Sequence, residues 1–154
     1  MKVIKRYSGI GGGVQLPTRL IIHSMSEIID DKHASAFLQG VKLSAHFLIE
    51  VNGDVMKLRK THEVAWHARS HNTNSIGIEV LVKGEHTYQS FLDDIQTDWV
   101  FHEQYDSLIE LSKNIQEYYD ISKEDVVRHS DIDPGRKFDP GTGFDWDHLQ
   151  KHLL

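Results

Sequence analysis

Residues 127–141 gather His129, the carboxylates Asp131, Asp133 and Asp139, and the cations Arg136 and Lys137 into one short stretch. Pro134, Gly135, Pro140 and Gly141 punctuate it, which predicts an ordered loop without regular helix whose side chains can converge. His129 and Asp139 can share a divalent ion if the loop folds back, but a zinc site takes at least one more protein ligand. The chain has no cysteine, so that ligand must be another His, Asp or Glu. His23 is the candidate, because it ends the apolar run 19–24, a buried strand delivering it to a sheet edge. His23, His129 and Asp139 would form a His₂Asp set with a fourth position open to water, the pattern of catalytic rather than structural zinc. Eleven histidines offer many such triples, so spacing alone does not single this one out.

The elements that must position these groups follow from patterning. Residues 1–17, with Gly11 to Gly13 and Pro17, read as an approach loop, and 30–40 as a short helix ending at Gly40. Residues 47–51 and 54–58 flank Asn52-Gly53, which predicts a hairpin with a two-residue type I′ turn. The run 75–82 is a further strand in which Gly77 marks a close backbone approach. Glu79 is the odd polar group of that strand, either an edge carboxylate facing water or a functional one. Residues 83–97 are polar and read as a long loop overhanging the site. Residues 98–120 form the main amphipathic helix, 125–128 a short strand delivering His129, and 145–153 a closing helix capped by Asp145. The fold class is therefore α/β, a single domain over 1–154 with a central mixed β-sheet flanked by helices.

Composition removes several classes of function. A net charge of −6 argues against a protein held to nucleic acid by phosphate contacts, and no apolar run reaches the length of a membrane span. The basic start 1–6 is interrupted by Tyr7, Ser8 and the glycine run before any apolar signal core, so the expectation is synthesis in the cytoplasm without a signal peptide. The expected state is a monomer.

Five blocks, in order, resemble the motifs of the type 2 N-acetylmuramoyl-L-alanine amidases, the family of AmpD-like enzymes, phage amidase endolysins and peptidoglycan recognition proteins. They are Ile21-Ile22-His23-Ser24, the run 44–49 with His46, Ala65-Trp66-His67-Ala68, the run 74–79 ending at Glu79, and 129–141. The resemblance implies a zinc hydrolase cutting the amide between N-acetylmuramic acid and L-alanine in peptidoglycan or muropeptides. It makes His23, His129 and Asp139 the metal ligands, and Glu79 and Lys137 the catalytic pair. His46 and His67 are expected to orient substrate or to serve as hydrogen-bonded structural histidines, and Trp66 to be groove wall or core. Lys42, Arg69 and Arg136 are candidates to meet stem-peptide carboxylates. Ala45 stands where some phage members have a tyrosine, which passes the acid–base role to Glu79, while Ser24 replaces an asparagine frequent in recycling enzymes. A recognition domain that binds peptidoglycan without cutting it is the alternative, and a regulatory partner docking through the helix 98–120 is a third.

Overall fold

The computed structural model describes residues 1–7, 9–26 and 44–154. The helix expected over 30–40 and the candidate Lys42 lie outside the described residues.

Strands β1 (Val3–Lys5), β2 (Arg19–Ser26), β3 (Phe47–Ile49), β4 (Val55–Lys57), β5 (Ser75–Val82) and β6 (Val126–Arg128) form one mixed sheet in the order β1-β4-β3-β5-β2-β6. Its centre is the parallel pair β2 and β5, in register over eight residues from Arg19 opposite Ser75 to Ser26 opposite Val82. Both strands are almost wholly buried, the pattern of parallel strands covered on both faces. β6 lies parallel to β2, β3 parallel to β5, and β4 antiparallel to β3.

Helices α1 (Tyr88–Asp94), α2 (His102–Tyr119), α3 (His129–Ile132) and α4 (Trp146–His152) complete the described elements, with single 3₁₀ turns at Arg69–His71 and Lys123–Asp125. α2 lays Leu108, Leu111 and Ile115 on the sheet face made by Leu20, Ile22, Phe47, Ile49, Ile76, Ile78 and Val80, and α4 adds Leu149 and Leu153 to this core. Period-two alternation then forces His23 and Glu79 onto the opposite face, where Leu48, Met56, Leu58 and Leu81 form a smaller cluster.

Five expectations change. Residues 3–5 are a strand, not part of a loop: Val3, Ile4 and Lys5 pair parallel with Val55, Met56 and Lys57 at the sheet edge. The hairpin closes through a longer turn, because Gly53 N–H donates to the Glu50 carbonyl at 2.8 Å and Gly53 takes φ 83°. Asn52 acts there through its side chain, whose Oδ1 accepts from Asp54 N–H at 2.9 Å. Residues 83–97 contain α1, capped by Thr87 Oγ1 on the Ser90 N–H. Residues 129–132 make a helical turn despite the prolines that follow, since Asp131 Oδ2 accepts from the Arg128 N–H at 3.1 Å and closes it. β5 is interior to the sheet, so Glu79 is not an edge carboxylate.

The segment after α1 is locked to the loop after Asp139 by two backbone approaches. A Cβ at Gly143 would lie 1.5 Å from the Thr97 carbonyl oxygen, and one at Gly141 2.2 Å from that of Ile95. Gly143 N–H also donates to the Ile95 carbonyl at 2.9 Å. Gly143→Ala must therefore push these segments apart, and we expect a loss of about 2 to 3 kcal/mol in urea unfolding. A variant as stable as the parent would show that the two segments separate without cost.

Candidate active site

His23 sits in the middle of β2, on the sheet face, rather than at a strand end. The eight-residue pairing with β5 sets Glu79 directly across from it, and β6 carries the chain into His129, the first residue of α3. The loop beyond α3 returns Asp139, whose carbonyl accepts from Ser130 N–H at 3.0 Å. Three donor atoms thereby converge. His23 Nδ1 lies 2.9 Å from His129 Nδ1 and 3.3 Å from Asp139 Oδ2, and His129 Nδ1 lies 3.0 Å from the same oxygen. This is the only His/Asp/Glu group among the described residues whose donor atoms are close enough to hold one metal ion.

The neighbouring hydrogen bonds fix what His23 offers. Ser75 Oγ donates its proton to the backbone carbonyls of His71 and Asn72, so it accepts from His67 Nε2–H at 3.1 Å. His67 Nδ1 is then the acceptor for His23 Nε2–H at 2.9 Å. That leaves His23 Nδ1 as a bare lone pair facing the Asp139 carboxylate and His129. Burial lowers the pKa of His23 against the opposing pull of Asp139, and burial with the His23 charge places His67 well below the ordinary imidazole value. Burial works against the Asp139 charge, but the imidazoles of His129 and His23 beside it outweigh it and lower its pKa. A neutral His23 and an ionised Asp139 are in the protonation states that metal ligands take. At most one proton is available to three mutually facing lone-pair groups, and their spacing is close to the about 3.3 Å edge of a tetrahedral zinc site, so the residues fit a divalent ion.

Glu79, half-buried, completes the wall, with Oε2 buried and without a hydrogen-bond partner among the described residues. Burial and the nearby Asp139 charge push its pKa up to about 8, while Lys137 pulls it back. His23, His67, Glu79, His129, Lys137 and Asp139 all line one cavity of about 160 Å³, closed on its apolar side by Tyr88, Phe91, Leu92 and Phe138.

The other expected site residues among those described lie outside this cavity. His46 is fully buried. Its Nδ1 accepts from Gly77 N–H at 3.0 Å and its Nε2 lies 2.8 Å from the Glu63 carbonyl, so it ties β5 to the loop after β4 instead of meeting substrate. Trp66 is 41% exposed, so it is not core, and it is not among the described residues that line the cavity. Arg69 begins the first 3₁₀ turn at φ 50° and is exposed. Arg136 spends its Nε and Nη2 on Asp133, whose pKa this pair lowers, and does not line the cavity. Gly77 does mark a close approach: a Cβ there would sit 2.5 Å from His67 Nδ1, so the bare backbone is what seats that ring.

Sequence reasoning passed over the α1 wall, although Tyr88, Phe91, Leu92 and Ile95 recur at helical spacing behind the cap Thr87. It also passed over Phe138, hidden between Lys137 and Asp139, and over Ser75, whose part depends on a tertiary hydrogen bond.

The buried His46 makes stability pH-dependent. Burial, with smaller help from the Arg59 and Lys57 charges, lowers its pKa from 6.5 to about 4. Below pH 6.5 the unfolded chain takes up a proton there that the folded chain refuses until about pH 4. Stability should thus fall by about 1.4 kcal/mol per pH unit across this window from His46 alone, on the order of 3 kcal/mol in all. Urea unfolding of the parent and of His46→Asn at pH 7 and pH 4.5 should show a flatter pH dependence in the variant, and equal slopes would contradict the assignment.

The chain is similar to known proteins. Residues 14–142 match the family described as N-acetylmuramoyl-L-alanine amidase. The 1,6-anhydro-N-acetylmuramyl-L-alanine amidase AmpD of Haemophilus influenzae is 37% identical over 114 residues, 70% of this chain and 56% of that protein. Among solved structures, the N-acetylmuramoyl-L-alanine amidase LysC from Clostridium intestinale superposes with a TM-score of 0.77 at 21% identity, covering 98% of this chain and 96% of that one, a likeness of fold. The amidase AmiD of Escherichia coli, in complex with the substrate anhydro-N-acetylmuramic acid-L-Ala-D-gamma-Glu-L-Lys, gives 0.70 at 30% identity, over 91% of this chain and 58% of that one. The chain spans about half the length of the first of these curated relatives and of AmiD.

Proposed function

The chain belongs to the N-acetylmuramoyl-L-alanine amidase family, and from that premise we propose that residues 1–154 are one catalytic domain that hydrolyses the amide between N-acetylmuramic acid and L-alanine in peptidoglycan or muropeptides. The observation that carries this reading is the trio of facing lone-pair groups, His23, His129 and Asp139, in one cavity with Glu79 and Lys137. His23, His129 and Asp139 would hold zinc, which when bound supplies a Lewis acid for the scissile carbonyl and eases deprotonation of water.

The chain's own groups divide the rest of the work. His67 and Ser75 keep the proton on His23 Nε2, so Nδ1 stays free to bind. Glu79 takes a proton from the attacking water and returns it to the departing L-alanine nitrogen; a carboxyl with pKa about 8 is close enough to neutrality to do both. Lys137 donates hydrogen bonds to the oxygen that gains charge as the carbonyl becomes tetrahedral, and its charge stabilises the Glu79 carboxylate between proton transfers. Tyr88, Phe91, Leu92 and Phe138 exclude water from the apolar side. A binding-only recognition domain would have no use for a carboxylate with a buried, unpartnered oxygen beside the metal-ligand trio.

No helix among the described residues is long and apolar enough to cross a membrane. The substrate seen with AmiD supports a muropeptide as the ligand, met either in the cytoplasm or in the wall. The test is release of L-alanine amino termini by the zinc-loaded chain from purified sacculi and from soluble anhydro-muropeptide, run side by side. Zinc-loaded protein that binds either material but frees no amines between pH 6 and pH 9 would overturn the hydrolase reading, and the ratio of the two rates identifies the preferred substrate.

A further inference from the structure

The catalytic cavity, at about 160 Å³, is small for a polymer substrate: pockets that enclose a drug-sized ligand run to about 300 to 1,000 Å³. A larger groove, about 460 Å³, lies on the other face of the sheet, where the C-terminal turns of α2 meet the ends of β1 and β4. Its walls carry three tyrosines and three basic side chains, Tyr7, Tyr118, Tyr119, Lys57, Lys60 and His62. Tyr118 is 80% exposed and Tyr7 51%, unusual for rings with no catalytic or core duty. Tyr119 is held in place by a 2.6 Å hydrogen bond between its hydroxyl and Thr61 Oγ1, and packs edge-on against Tyr118 with ring centroids 4.7 Å apart. Lys57 Nζ lies 5.6 Å from the Phe47 ring centroid, and Lys60 Nζ is 3.9 Å from Glu63. Among the described residues no carboxylate lines the groove, although the chain as a whole carries a charge of −6.

We propose that this groove is a second, non-catalytic binding site for a peptidoglycan strand. Tyrosine faces present flat apolar surface with a polar tip, which suits the apolar faces of pyranose rings edged by hydroxyls, and the lysines match the carboxylates of stem peptides. His23 and Glu79 occupy the opposite sheet face, so a strand held in the groove is not the strand being cut. In a wall of many strands the groove then raises the effective concentration of the catalytic pocket at its neighbours, an avidity contribution that soluble fragments do not gain. The proposal rests on the amidase reading only for the identity of the polymer.

The test separates the two. Cosedimentation of the full chain carrying Glu79→Gln, so that the pellet is not digested, is measured with sacculi stripped of protein and phosphate polymers, with and without Tyr118→Ala plus Lys60→Glu. Loss of both wall contacts is expected to weaken binding about tenfold or more, while Tyr118→Phe alone stays within about twofold of the parent. In the active background, cleavage of soluble muramyl tripeptide should be unchanged by Tyr118→Ala plus Lys60→Glu. Undiminished pelleting of the double variant would overturn the proposal. So would binding that appears only with unstripped sacculi, which would make the ligand a phosphate polymer, or loss of soluble cleavage in parallel with pelleting, which would make the groove part of the catalytic site. Failure of the parent to cut soluble substrate would instead count against the amidase reading, with pelleting still deciding the groove.

Discussion

Glu79→Gln is expected to retain zinc at the parent's stoichiometry and to lose about 10²- to 10⁴-fold in kcat on soluble muropeptide, the usual contribution of a positioned acid–base group. The reasoning starts from register. β5 pairs with β2 on one side and β3 on the other, so Glu79 is fixed opposite both His23 and Leu48 and has little freedom to be replaced by a neighbour. Its carboxyl is not among the three converging donor atoms, which are His23 Nδ1, His129 Nδ1 and Asp139 Oδ2. Glutamine keeps the volume but can neither take up nor release a proton near neutrality, so packing against β2 and β3 survives while acid–base chemistry is lost. Because burial and the Asp139 charge already disfavour the carboxylate, the amide should not lower Tm. Inductively coupled plasma analysis of zinc, thermal unfolding and steady-state kinetics on one preparation check all three parts. Activity within about tenfold of the parent would remove Glu79 from the proton pathway.

How far the sequence could be read depended on whether a residue's role is set locally. The strand at β5, the long helix α2 and the capped helix α4 were legible because apolar spacing persists over several turns or several pleats. β1 was not, since three residues between basic neighbours are too few to carry periodicity, and its pairing with β4 is decided by the edge it meets. α1 had the spacing but was masked by the polar residues around it. At the site, His23, His129 and Asp139 were legible as types that bind metal, yet no local rule could choose them from 11 histidines. The choice depends on β2 and β6 lying side by side, which brings residues 106 positions apart to within hydrogen-bond distance. His46 and His67 show the same limit from the other side. They fall in similar sequence surroundings, but one is spent on backbone groups of Gly77 and Glu63 while the other sets the tautomer of His23. Arg136 was read as a cation for substrate because its partner, Asp133, sits only three residues back in a turn whose geometry the prolines conceal.

His129→Ala is expected to abolish both zinc retention through gel filtration and all measurable hydrolysis, in contrast to Glu79→Gln. His129 Nδ1 makes the two shortest approaches within the trio, at 2.9 Å from His23 Nδ1 and 3.0 Å from Asp139 Oδ2. Removing it leaves one imidazole and one carboxylate, two ligands where a zinc ion in a catalytic site takes three from the protein. The His129 hydrogen bond is also the largest single influence holding the Asp139 pKa down, so its loss raises that pKa and weakens Asp139 as a ligand. His129 begins α3 just after β6, and its 3% exposure means that alanine also opens a cavity there, so some loss of thermal stability is expected alongside. That loss can be told apart from the metal effect: zinc should raise the Tm of the parent and of Glu79→Gln, and leave His129→Ala unmoved, because only a ligand that binds the folded state stabilises it. Equal zinc retention in the two variants, or a zinc-dependent Tm in His129→Ala, would refute the division between the residues that hold the metal and the one that moves the proton.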